Sequence, residues 1–136
     1  MESNDPAALQ RLKEFTQAMH EWETKFYSLM RKGGQERHIQ ASDELRPIFE
    51  KYVVNRNKNF SRVYAPSAAE PPEYDNDHVV IEDLETTDRS ATILVRKNSF
   101  PQGLFKYILI NDGGRWLLQK KEKYSPSKET WSPYHF

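Results

Sequence analysis

Cysteine is absent from this chain. That excludes a disulfide scaffold, a thiol nucleophile, a thiolate zinc site and an iron–sulfur cluster. Long hydrophobic runs are missing as well. The longest extend three or four residues, as in Ile108-Leu109-Ile110, and none is long enough to span a bilayer. Net charge is missing too, because 20 basic residues meet 20 acidic ones. With it goes the overall electrostatic footprint of a nucleic-acid binder. The opening residues carry Glu2 and Asp5 where a secretory signal has a basic stretch followed by an apolar one. What the chain does have is 12% aromatic and 29% charged residues in a length of 136. This composition predicts one domain, residues 1–136, with a small aromatic core under a charged surface, placed in the cytoplasm.

The first segment repeats with a helical period. Leu9, Leu12, Phe15, Met19, Trp22, Phe26 and Leu29 fall on one stripe, which predicts a helix over 6–31. Asn4 or Asp5 is the expected N-cap, and Gly33-Gly34 the stop. A second helix is predicted over 42–54, capped by Ser42, with Pro47 in its first turn and Leu45, Ile48, Phe49 and Tyr52 facing inward. His38 then lies in the connection between the helices. The proline-bearing stretch 65–77 reads as a surface connection.

After it the period changes to two. Strands are predicted over 78–85, 90–97, 103–111 and 115–124, with Asp112-Gly113-Gly114 as a hairpin turn and a tail over 125–136. Helices followed by an antiparallel meander make an α+β pattern. In the third strand Phe105, Tyr107 and Leu109 occupy one face and Ile108 and Ile110 the other. Apolar residues on both faces mean either that the sheet curls strongly around the helices or that its outer face meets something else, such as a second copy of the chain.

The order of these elements, ending in Asn111-Asp112-Gly113-Gly114-Arg115-Trp116-Leu117-Leu118, resembles the nuclear transport factor two-like fold. The resemblance implies a curved antiparallel sheet of four or more strands wrapped round a long helix as a cone. Within that group the chain is most similar to bacterial immunity proteins that neutralise polymorphic toxins, which share the final hairpin and a tryptophan-bearing tail, here Trp131. It implies a cognate toxin as partner. It transfers no interface residues, because each immunity surface is particular to its toxin.

Chemistry-bearing patterns are few. The four histidines, His20, His38, His78 and His135, show no i, i+4 metal pair, and no phosphate loop or nucleophile elbow is present. No catalytic residue, metal site or cofactor is therefore assigned. Enzymes of the resembled fold place an Asp or His base inside the cone, so a small-molecule isomerase, a cyclase or a ligand carrier remains the alternative. Trp22, Phe26, Tyr107 and Trp116 are the candidates for lining such a pocket, and core packing is the plainer reading of the same four. Arg56, Lys58, Arg62, Lys120, Lys121 and Lys123 read as a solvated basic face, with no direct nucleic-acid contact.

One feature stands out. From Glu70 to Asp88 the chain has eight acidic residues and no Lys or Arg, leaving 20 bases against 12 acids elsewhere. A solvated loop and edge strand is the plainer reading of this run. The functional reading is a docking surface for a basic toxin, such as a nuclease built to grip phosphates, using Tyr74, Asp75, Asp77, Glu82, Asp83, Glu85 and Asp88. Tyr74 and Tyr64 are its expected aromatic anchors.

Overall fold

The computed structural model describes residues 6–99 and 102–136. Helix α1 runs Ala7–Arg31 with Pro6 at its capping position, while Asn4 and Asp5 lie outside the described residues. Its buried face is the predicted stripe from Leu9 to Phe26, joined by Glu23.

Helix α2 differs from expectation. It spans Gln35–Tyr52, starting seven residues before Ser42, so His38 lies on a helix. Gly33 and Gly34 have φ of 75° and 100°. Both angles are open to glycine and costly for other residues, so the chain reverses between the helices with no longer loop. The Ser42 hydroxyl does not cap the helix but donates to Val63 O at 2.6 Å. Pro47 sits in the helix interior, where Ala41, Leu45, Phe49 and Tyr52 are buried on the inner face. Tertiary burial of that face overrides the local cost of the proline. A short helix, α3 (Ser61–Tyr64), follows α2.

Five strands then form one antiparallel meander in chain order: β1 Val79–Thr86, β2 Ser90–Lys97, β3 Gly103–Asp112, β4 Arg115–Ser125 and β5 Thr130–Tyr134. β5 comes from the predicted tail and pairs with β4 from Lys121↔Tyr134 to Ser125↔Thr130. The β3–β4 hairpin closes on Gly113 and Gly114, with φ of 61° and 95°, the positive angles that a two-residue hairpin loop demands.

Alternation decides which face meets the helices. Ala91, Ile93 and Val95 of β2, Phe105, Tyr107 and Leu109 of β3, and Leu118 of β4 are buried in the core with α1 and α2. Phe15 of α1 is at its centre, meeting Phe49, Tyr52, Tyr74 and Phe136 edge-on at 5.7–6.0 Å between ring centroids. Such geometry brings each ring's positive edge to its neighbour's face. Arg11 fastens α1 outside this core by donating to Trp116 O at 3.0 Å and Lys51 O at 2.6 Å. Ile108 and Ile110 are half-buried on the opposite face of the sheet. The result is an α+β fold in which a curved sheet wraps the long helix, as the nuclear transport factor two-like resemblance implied.

Candidate functional site

A chain of charged side chains is buried where α1, α3 and β4 converge. Glu23 lies on the apolar stripe of α1, four residues after Met19 and three before Phe26, and is 0% exposed. A carboxylate there needs strong partners. Its Oε2 accepts from Arg62 Nη2 at 3.0 Å and from Glu73 N at 3.0 Å, and its Oε1 accepts from Tyr74 N at 2.9 Å.

Arg62 uses its fork fully. It donates to Ser67 O through Nε and Nη2, and through Nη1 to Glu73 Oε2 at 3.0 Å and Phe136 O at 2.9 Å. One guanidinium thereby ties α1, α3, the connection that follows α3 and Phe136, two residues beyond β5, together. Arg62 and Lys121 are thus not part of a solvated basic face, being 5% and 4% exposed.

Glu73 completes the chain. Its Oε1 lies 3.1 Å from His135 Nε2 and 3.8 Å from Lys121 Nζ. Burial alone would raise its carboxyl, but the His135 bond and the charges of Lys121 and Arg62 outweigh that and hold it at about 2. Lys121 shows the reverse, since burial lowers its ammonium to about 8 against the opposing pull of Glu73. Four rings surround its Nζ, those of Tyr74, Phe105, Tyr107 and Tyr134, at 4.7–5.3 Å.

Above this cluster a cavity of about 390 Å³ opens between α1, the 3₁₀ turn at Asn76–His78 and the concave sheet. Leu12, Val79, Ile81, Val95 and Phe105 form apolar walls, while Glu73, Tyr74, Lys97, Tyr107 and Lys121 supply its polar groups. Of the four pocket candidates only Tyr107 lines it. Trp22 and Phe26 are core residues, 4% and 0% exposed, and the Trp22 indole donates to Ala41 O at 3.0 Å. Trp116 is half-buried against the core away from the cavity.

The acidic run divides into three groups. Tyr74 is no surface anchor: it is 4% exposed and its hydroxyl donates to Phe136 O at 2.9 Å. Glu73 turns inward, as described. Asp75 is half-buried and meets His78 Nδ1 at 2.7 Å, and Glu82 pairs with Arg96. Glu70, Asp77, Asp83, Glu85 and Asp88 are exposed. β1 pairs only with β2, so it forms an edge of the sheet, and its register shifts between Ile81 and Asp83. Val80 and Ile81 are 53% and 36% exposed on this edge. Tyr64, the other expected anchor, is 60% exposed.

A buried ionic brace that fixes the base of an acidic edge strand suits a protein that presents a rigid surface to a partner. Residues 7–135 match the family described as NTF2 fold immunity protein, and the chain belongs to that family. It is an immunity protein, whose role is to bind and neutralise a toxin. Over 125 residues it is 29% identical to the immunity protein RhsIA of Dickeya dadantii (strain 3937), covering 91% of this chain and 92% of that one. No solved structure matches the chain. Among the described residues no helix is long and apolar enough to cross a membrane.

Proposed function

We propose that the chain neutralises its cognate toxin in the cytoplasm by presenting the edge strand β1 and its flanking turns to a basic surface of that toxin. The observation that carries this is the juxtaposition of exposed Asp77, Asp83, Glu85 and Asp88 with exposed Val80 and Ile81 along one open strand edge. Carboxylates steer a basic partner and raise the rate of encounter. The two apolar side chains and the unpaired backbone of β1 then offer a surface to dock on. A nuclease, whose own site is basic because it holds phosphates, is the toxin class that such a surface complements.

The reading is one of binding without catalysis. Glu73, the carboxylate buried beside the cavity, is held at about 2 by its cations. A general base for neutral conditions needs a pKa near the working pH. Homodimerisation through the outer face of Ile108 and Ile110 is a separate proposal, supported by their half-buried state, and the mass of the chain in solution tests it.

The test is protection of cells that express the toxin encoded beside this gene. Asp77, Asp83, Glu85 and Asp88 are each changed to Lys. These four are better probes than Asp75 or Glu82, which hold His78 and Arg96. The fourfold variant should fold with an unchanged melting temperature and fail to protect. Full protection at the wild-type dose overturns the acidic edge as the docking surface.

A further inference from the structure

The cavity on the concave face has a chemistry of its own, which docking at the acidic edge does not require. Its volume of about 390 Å³ falls within the range of small-molecule sites, roughly 300–1,000 Å³. Leu12 of α1, Val79 and Ile81 of β1, Val95 of β2 and Phe105 of β3 give it apolar walls from four elements. At its mouth Asn76 Nδ2 donates to Gln17 Oε1 at 3.4 Å, and exposed Lys13 stands on the rim.

Lys121 is the group that this interior leaves short of hydrogen-bond partners. Its side chain is 3% exposed. Its Nζ lies 4.7–5.3 Å from the ring centroids of Tyr74, Phe105 and Tyr107, all of which line the cavity. An ammonium carries three donors. Among the described residues this one makes a single hydrogen bond, to Tyr74 Oη at 3.4 Å, while Glu73 Oε1 stands at 3.8 Å, beyond hydrogen-bond reach. The rings attract its charge but supply no oxygen to its other N–H groups. A buried donor without an acceptor is costly.

The charges of the interior answer one another. Glu73 acts on Lys121. Glu73 and Asp75, which line the same cavity, both act on Lys97, and Lys97 also donates to Ser99 O at 3.5 Å. Two carboxylates thus face two ammonium groups. An added anion meets the first pair and an added cation the second, so the ligand that fits is uncharged.

We propose that this cavity binds a small uncharged carbonyl compound, its oxygen accepting from Lys121 Nζ and its hydrocarbon body lying against Leu12, Val79, Val95 and Phe105. A carbonyl oxygen offers two lone pairs and brings no donor that needs a partner of its own. The apolar walls favour a group carried on a hydrocarbon chain or ring. The site stands independently of the acidic residues of the docking edge.

Calorimetric titration of the full chain with acetophenone tests the site, against three probes of the same frame. Isopropylbenzene has a methyl group in place of the carbonyl oxygen, benzoate is an anion, and 1-phenylethylammonium is a cation. Acetophenone should bind saturably at one site per chain. Benzoate and 1-phenylethylammonium should each bind at least about tenfold more weakly, since each brings its charge into an apolar site. Lys121→Met should weaken acetophenone relative to isopropylbenzene by about tenfold or more, the loss expected for one hydrogen bond from a charged donor. Lys97→Met should leave that ratio within about threefold of the wild-type value. Should Lys121→Met not fold, NMR of the wild-type chain supplies the comparison: the Lys121 ε-methylene signals should shift more with acetophenone than with isopropylbenzene. No saturable binding of acetophenone, tighter binding of benzoate, an unchanged ratio in Lys121→Met, or a loss found in Lys97→Met alone would each overturn the proposal.

Discussion

Glu23 and Arg62, 39 positions apart in the chain, form an ion pair at 3.0 Å with 0% and 4% of their side chains exposed. A long helix, a short helix and the connection that follows it are held together by this contact. Removing one partner strands the other charge in a dry site. We expect Arg62→Met to cost about 3–5 kcal/mol of stability in urea unfolding. The double variant Glu23→Met with Arg62→Met should lose less than the two single losses added together, because each single change leaves a buried charge that the double change removes. Strict additivity would show that the pair is not coupled.

Stability should depend on pH at both ends of the scale. Glu73 is held at about 2 against an ordinary value of 4.5. Its contribution is therefore present above pH 4.5 and is lost as the pH falls towards 2. The size is on the order of 2–3 kcal/mol. Lys121 is lowered to about 8 from 10.5, so between those values the unfolded chain binds a proton that the folded chain does not. Stability should rise as the pH climbs from about 8 towards 10, and Lys97, also lowered by burial, acts in the same direction. Above 10 the buried Tyr74 and Tyr107 hydroxyls, both raised by burial, reverse the trend. Melting temperatures measured across this range check the sequence of acid loss, alkaline gain and final decline.

Pro47→Ala should stabilise the chain. Pro47 is exposed and lies inside α2. Alanine restores a backbone donor there, removes the ring's clash with the preceding turn, and gives up no buried contact. A gain of about 1–3 kcal/mol is expected in urea unfolding. A loss would mean that the proline has a structural role which the helix geometry does not reveal.

Tyr74→Phe distinguishes an interior role from an interface role. The hydroxyl donates to Phe136 O and lies 3.4 Å from Lys121 Nζ. Its removal should cost about 1–2 kcal/mol of stability and leave the association rate with the toxin unchanged. A slower association at unaltered stability would return Tyr74 to the interface.

The helical stripe, the change of period near residue 78 and the Asp112–Gly114 turn were legible because each rests on a local pattern of side chains. The start of α2 was not. The Ser42 cap signal and Pro47 favoured a late start, and burial of Ala41, Leu45 and Phe49 prevailed over both. β5 was hidden because Pro133 and a short aromatic tail do not alternate like a strand, and pairing with β4 supplies its order.

The brace was missed for a different reason. Glu23 did carry a signal, since it interrupts an apolar stripe, but Arg62, Glu73 and Lys121 sit in polar surroundings in sequence and meet only through the fold. The same folding removes Glu73 and Tyr74 from the acidic surface suggested by the eight acids between Glu70 and Asp88.

Hydrogen–deuterium exchange of the chain, alone and bound to the toxin encoded beside it, tests the central claim most directly. Docking on the acidic edge predicts slowed exchange in the backbone of Val79–Thr86 and at Asp77 and Asp88, with α2 and β5 unchanged. Protection confined to α2, to β5 or to the outer face of β3 and β4, with β1 exchanging as in the free chain, would contradict it.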